Sequence, residues 1–248
     1  MKRKFRKIVI ACVIIFLPVS AVFAEPVDYQ LYDRILKEYV DDKGLVDYKK
    51  LKADPDNLNM FIEQVAEAEL DHLKPDELKA FWINAYNAIT LKVVADAYPV
   101  RSIRNINFFL VWEIPRRAAG KNISLGDIEH KIVRPIGDPR IHFALNCASL
   151  GCPQLPSEPF YPESINEQLD YQTRQFINNP EKVRVDRLNN ILYHSEIFEW
   201  YEEDFLKIAT DIKAYIQNYI NESDRDYLKE HDVELKPLKY DWNLNVRK

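Results

Sequence analysis

"LKPDELKAFWINAYNAITLKVVADAYP", residues 73–99, decides how the rest of the chain must be arranged. Pro75 stands where a first helical turn tolerates it, and Asp76 and Glu77 suit the positive end of a helix dipole. Pro99 stops the run. Between Ala80 and Ala97 the segment is apolar almost all round, so the spacing predicts a buried central helix that other elements must cover on every side. Asn84 and Asn87 interrupt that surface three residues apart, which puts both amides on one face. A buried amide without partners costs about 1–3 kcal/mol, so the two either tie the helix to neighbouring backbone or face a pocket.

The flanking segments supply the cover. "DYQLYDRILKEYVD" and "DPDNLNMFIEQVAEAEL" have helical spacing of apolar residues, with "KGLVDYKKL" between them reading as a turn with a short extended piece. "KNISLGDIEHKIVR" reads as a short strand followed by a helix that Ser124 or Asp127 can cap. "RIHFALNC", residues 140–147, reads as a strand with Ile141, Phe143 and Leu145 on one face and Arg140, His142 and Asn146 on the other. "PESINEQLDYQTRQFINNP" is an amphipathic helix, and "KVRVDRLNNILYHS" a hairpin turning at Asn189 and Asn190. "SEIFEWYEEDFLKI" and "DIKAYIQNYI" add helices, the aromatic stripe of the first reading as core. The expected fold is α+β, a single mostly helical domain around a small β-sheet. With 47% hydrophobic residues, only five glycines and no repetitive tract, nothing marks a linker, and residues 25–248 read as one domain.

The first 24 residues read as an export signal: a basic start, "MKRKFRK", an apolar run too short for a comfortable span, and the small-residue site "AVFA". The expected location is periplasmic or secreted, with no stable membrane insertion after cleavage. Removing the five basic residues of that segment from 34 leaves 29 against 39 acidic, a net charge of −10. Such a surface repels nucleic acid, and no basic cluster interleaved with aromatics follows Ala24, so no nucleic-acid partner is expected.

"RIHFALNCASLGCPQL", residues 140–155, carries His142 and the two cysteines outside the signal, Cys147 and Cys152. Three chemistries fit. Cys147 is a nucleophile if an imidazole or a helix end stabilises its thiolate. His142 lies five residues back, and at ~3.3 Å per residue a straight strand would hold the two roughly 16 Å apart, so pairing requires the chain to fold back at "NCAS". Cys147, Cys152, His142 and His130 also have the residue types of a zinc site, though no second C-x-x-C pair accompanies them. Outside the cytoplasm a Cys147–Cys152 disulfide closing a small loop is the third reading. Arg134 and Arg140, beside Asp138 and Glu129, read as an ion-pair network ahead of an anion site.

"FWINAYNA", "SLGDIEHKIVR", "DPRIHFALNCASLGCPQL", "SEIFEWYEEDF" and "YDWNLN", in this order, resemble the successive motifs of the domain of unknown function 547 family, spanning residues 75–245. The resemblance implies that the family's polar positions fall on Asn84, Asn87, Glu129, His130, Arg134, Arg140, His142, Cys147 and Cys152. It also brings members from settings other than the bacterial envelope, which counts against a purely oxidative purpose for the cysteine pair. His194 departs from the pattern and is left out. By loose similarity to papain-like or transglutaminase-like cysteine hydrolases, the expected site has Cys147 as nucleophile, His142 as base, and Glu129 or Asn84 orienting it. His130, Arg140 and Asn87 would bind substrate. The expected reaction is hydrolysis or acyl transfer at an amide, ester or thioester of a small molecule or peptide, with no metal and no cofactor. The alternative is a non-enzymatic envelope binding or scaffold module in which the Cys147–Cys152 disulfide is structural.

Overall fold

The computed structural model of the protein describes residues 27–247; the export segment expected at residues 1–24 lies outside them. Three helices precede the central one: α1 (Tyr29–Tyr39), α2 (Tyr48–Ala53) and α3 (Asp56–Glu67). The extended reading of "KGLVDYKKL" is corrected in its second half. The Asp47 side chain accepts the backbone N–H of Lys50 and starts α2, leaving single bridges from Val46 to Val40 and to Val246. The central helix α4 (Pro75–Ala97) has Pro75 in its first turn, and Glu77 accepts the Lys74 N–H at 2.6 Å. Its middle is buried on all sides, as its composition requires. Its main neighbours are helices and turns rather than a sheet.

After α4 the chain forms a small hairpin, β1 (Arg116–Ala118) with β2 (Lys121–Ile123). A short helix, α5 (Leu125–Asp127), begins at a reciprocal Ser124–Asp127 cap and widens into a π-turn over Ile128–Val133. The expected strand at 140–147 does not form. Pro139–Phe143 is a 3-10 turn, started by the Asp138 side chain, which accepts the Arg140 N–H. Both alternating faces are buried there, so period-two reading had no solvent side to detect. Next come α6 (Ile165–Ile177), and β3 (Val183–Asp186) paired antiparallel with β4 (Ile191–Ser195), with Asn190 left-handed in the turn. Four short helices follow: α7 (Ile197–Trp200), α8 (Glu202–Phe205), α9 (Ile212–Gln217) and α10 (Glu222–Glu230). They carry the chain back to β5 (Glu234–Leu238), parallel to β4. Sequence reading did not anticipate α10 or β5. The chain is thus mostly helical with small sheets. Among the described residues no helix is long and apolar enough to cross a membrane.

The apolar interior falls into two clusters. One surrounds α4 and includes α1 to α3; the other joins α6, β4 and α7 to α10 through Phe143, Phe176, Phe198, Phe205 and Tyr215. The 3-10 turn stitches them, with Ile141 in the first cluster and Phe143 in the second. The last residues form a strap. Leu244 donates to the Arg101 carbonyl at 2.9 Å, Asn245 to that of Ala148 at 3.1 Å, and Arg247 to that of Val46 at 2.9 Å. Asn245 also takes the Tyr48 hydroxyl at 2.8 Å.

The two asparagines of α4 fasten this arrangement. Asn84 donates to the Phe160 carbonyl at 2.7 Å and accepts the Phe160 N–H at 2.9 Å. Asn87 donates to the Ala144 carbonyl at 2.9 Å and accepts the Asn146 N–H at 2.8 Å. Replacing Asn84 by Ala strands two buried backbone groups and is expected to cost about 2–4 kcal/mol, read as a lowered denaturant midpoint. An unchanged midpoint would show that the Phe160 loop finds other partners.

Candidate functional site

A cavity of about 100 Å³ opens where the two clusters meet, and it gathers Glu129, His142, Cys147 and Cys152. Its other walls are Tyr86, Trp112, Trp200, Tyr201, Tyr240 and Trp242, with Leu145, Pro153 and Ile197. The 3-10 turn explains how His142 and Cys147 share a wall. Such a turn rises only ~2.0 Å per residue, far less than a strand. Asn146 then bends the chain: its side chain accepts the Ala148 N–H at 2.8 Å and donates to the Pro153 carbonyl at 2.7 Å, and Ala148 is left-handed with φ 61°.

Cys147 and Cys152 are joined in a disulfide, with Cα atoms 6.2 Å apart, inside the range such a bond requires. The Cys147 N–H points at Cys152 Sγ at 2.9 Å. The Tyr240 hydroxyl donates to Cys152 Sγ at 3.1 Å and lies 3.2 Å from Cys147 Sγ, as does Ser149 Oγ. Burial holds the Tyr240 phenol protonated and able to donate. Gly151 makes room for this ring, because a Cβ there would lie 2.7 Å from three of its carbons.

His142 is buried, stacked on Tyr201 at 3.9 Å between ring centroids, and its Nε2 lies 2.9 Å from Asp204 Oδ2. Asp204 also accepts Arg134 Nε at 2.7 Å and Lys207 Nζ at 2.7 Å. Burial works to raise the Asp204 pKa, but the bonds from Arg134, Lys207 and His142 outweigh it and hold the carboxyl well below its ordinary range. Burial pushes His142 down to about 4, against the pull of Asp204. With Asp204 ionised and His142 neutral, Nε2 carries the proton and Nδ1 keeps the lone pair.

Glu129 projects inward from the π-turn and is only 8% exposed. Its carboxylate accepts the Tyr86 hydroxyl at 3.3 Å and the Tyr201 hydroxyl through a short bond. Burial, reinforced by Glu129, raises both phenols, so both remain donors.

The sequence-predicted residues therefore separate. Glu129, His142 and Cys147 border one cavity, but the group that orients His142 is Asp204, not Glu129 or Asn84. Both ends of the Asn84 and Asn87 amides are spent on backbone, and neither borders the cavity. His130 points to solvent and meets Arg134 at 3.3 Å. Arg140 is locked in a network with Asp138, Asp170 and Asn166, as an ion-pair reading expects. The zinc grouping is corrected too: His130 is apart from the other three, and among the described residues no three or more His, Cys, Asp or Glu side chains are grouped to hold a metal. Sequence reading missed Asp204, Tyr86, Tyr201 and Tyr240. It also placed Trp200 in a core stripe, although Trp200 lines the cavity, as does Trp242.

Residues 70–177 match the family described as "Protein of unknown function, DUF547". That segment, somewhat under half of the chain, is similar to members of this family. The matched span contains α4, the π-turn with Glu129 and the whole His142–Cys152 segment. Asp204, Tyr240 and Trp242, which complete the site, lie beyond it. No curated protein and no solved structure matches the chain.

Two outcomes follow from this geometry. His142 binds its proton more weakly when folded, at about 4, than its ordinary value of 6.5. The unfolded chain therefore takes up more protons across that interval, and stability falls as pH drops through it, by on the order of 3 kcal/mol. Asp204, also lowered on folding, acts in the same direction at still lower pH. His142→Gln should flatten the melting-temperature profile between pH 6.5 and 4; a variant with the wild-type slope would place the acid sensitivity elsewhere. Gly151→Ala should push Tyr240 off the sulfurs at a cost of about 1–3 kcal/mol, measured by denaturant unfolding.

Proposed function

We propose that the cavity is the active site of a cysteine-dependent hydrolase or acyl transferase in which Cys147, once reduced, attacks an amide, ester or thioester of a small molecule or peptide. The observation that carries this reading is the meeting of Cys147 with the buried His142–Asp204 pair around one cavity. An external dithiol first reduces the Cys147–Cys152 bond, giving up two electrons and two protons and becoming a disulfide itself. Nδ1 of His142 then takes the Cys147 proton, and the thiolate adds to the carbonyl carbon. The leaving group departs with the proton from the imidazolium, and water or an acceptor nucleophile resolves the thioester. An imidazole whose pKa is lowered to about 4 is a weak base, so the Ser149 and Tyr240 hydroxyls would have to help hold the thiolate. The likeness to papain-like and transglutaminase-like hydrolases lies in these residue types: thiol, imidazole and acid. The basic, apolar and small-residue pattern of residues 1–24 supports export to the periplasm or beyond.

The disulfide itself favours a second reading, an envelope binding or scaffold module in which the bond fixes the loop. Thiol labelling after mild reduction separates the two. On the enzymatic reading Cys147 labels at least tenfold faster than the buried Cys152, and His142→Gln slows Cys147 alone. A disulfide that resists mild reductant, or labelling of Cys147 indifferent to His142, would leave the second reading standing.

A further inference from the structure

Three observations at the same cavity bear on what enters it. The first is Glu129. It is a buried carboxylate that accepts two tyrosine hydroxyls, and among the described residues no Lys or Arg nitrogen lies within 4.0 Å of it. A buried charge without a counter-charge is costly, and hydroxyl donors compensate only part of that cost. The nearby guanidinium, Arg134, feels the Glu129 charge at longer range but makes its ion pair with Asp204, so Glu129 has no cation in contact.

The second is the wall above the carboxylate. Trp200 packs on Trp242 at 5.8 Å and on Tyr240 at 4.8 Å, and Trp112 meets Trp242 edge-on at 6.2 Å. Tyr201 closes the side next to His142. Trp200 is 44% exposed at the mouth, although tryptophan is highly buried on average. Aromatic faces around a small space attract cations through their quadrupoles, most strongly where water is excluded.

The third is that one ring of the aromatic cluster already holds a cation. The Arg104 guanidinium sits 4.9 Å from the centre of the Trp242 ring. The chain as a whole is acidic, with a formal net charge of −5, which draws cations towards such a mouth.

We infer that the cavity binds the positively charged headgroup of a small organic amine, with Glu129 as its counter-charge and Trp112, Trp200, Trp242 and Tyr240 as its cage. The volume of about 100 Å³ suits a headgroup rather than a whole molecule, so the remainder of the ligand would extend past Trp200 to solvent. His142, neutral at pH 7, adds no repulsion. Glu129 then has a task distinct from the thiol chemistry, and this binding does not depend on that chemistry.

Tryptophan fluorescence of the full chain, with its disulfide intact, tests this. Choline, butylammonium and butylguanidinium would each be titrated against the uncharged analogue of choline in which carbon replaces nitrogen. At least one cation should give saturable quenching, at least tenfold tighter than the analogue, and the best of the three identifies the headgroup. Glu129→Gln and Trp200→Leu should each weaken that cation at least tenfold. Trp200→Leu, at the exposed mouth, keeps the test open if Glu129→Gln fails to fold. Equal binding of the uncharged analogue, indifference of a folded variant, or no saturation by any cation would overturn the inference. Because Cys147 stays oxidised throughout, a negative result leaves the labelling test of the enzymatic reading untouched, and a negative labelling result leaves this one.

Discussion

The fold depends on two side-chain amides in a helix that has no wet face. An apolar helix can be enclosed in many registers, since hydrophobic contact is not directional. Asn84 and Asn87 remove that freedom. Each donates one bond from its NH2 group and accepts one at its carbonyl oxygen, and each bond forms only when a particular loop residue presents its carbonyl or N–H at the right place. Asn87 thereby sets Ala144 and Asn146, the residues immediately before Cys147. The bend that carries the sulfurs is positioned from the centre of the molecule and not by the loop alone.

That fixed bend lies on the seam between two apolar clusters, and the seam explains the chemistry gathered there. Polar groups in the interior of either cluster would have to be paired completely. At the junction they can be half-sheltered: dry enough for burial to lower the His142 pKa, yet open to solvent past Trp200. Asp204, Glu129 and Tyr240 each satisfy more than one partner, so few side chains hold the whole polar lining in place. Tyr201 links the two halves directly, bonding to Glu129 while stacking on His142.

Much of this was legible in the sequence, but unevenly. The central helix, the hairpin around Asn189 and Asn190 and the Ser124 cap follow from local patterns that no distant contact overrides. Residues 140–147 misled because alternation identifies a strand only when one face meets water, and here Ile141 and Phe143 enter different cores while His142 is buried as well. Glu129, His142 and Cys147 could be singled out as chemically capable. Their partners could not, since Asp204 sits 62 residues from His142 and Tyr240 lies 93 from Cys147. Nothing in "EEDF" distinguishes the one acid that turns inward from the two that face solvent.

The strap formed by the last residues adds a constraint on time rather than on space. It hydrogen-bonds the segment near α2, the loop after α4 and the cysteine bend, and it brings Tyr240 and Trp242 into the cavity wall. A chain that emerges from its N-terminus has α1 to α4 in hand long before these two rings exist. The cavity is therefore completed only after residues 240–247 have been made, later than the helices around it. Until residues 240–247 arrive, Cys147 and Cys152 lack the tyrosine that caps their sulfurs, and α2 lacks the Asn245 amide that takes its Tyr48 hydroxyl. Two of the cavity's aromatic walls therefore depend on the segment made after every helix described above.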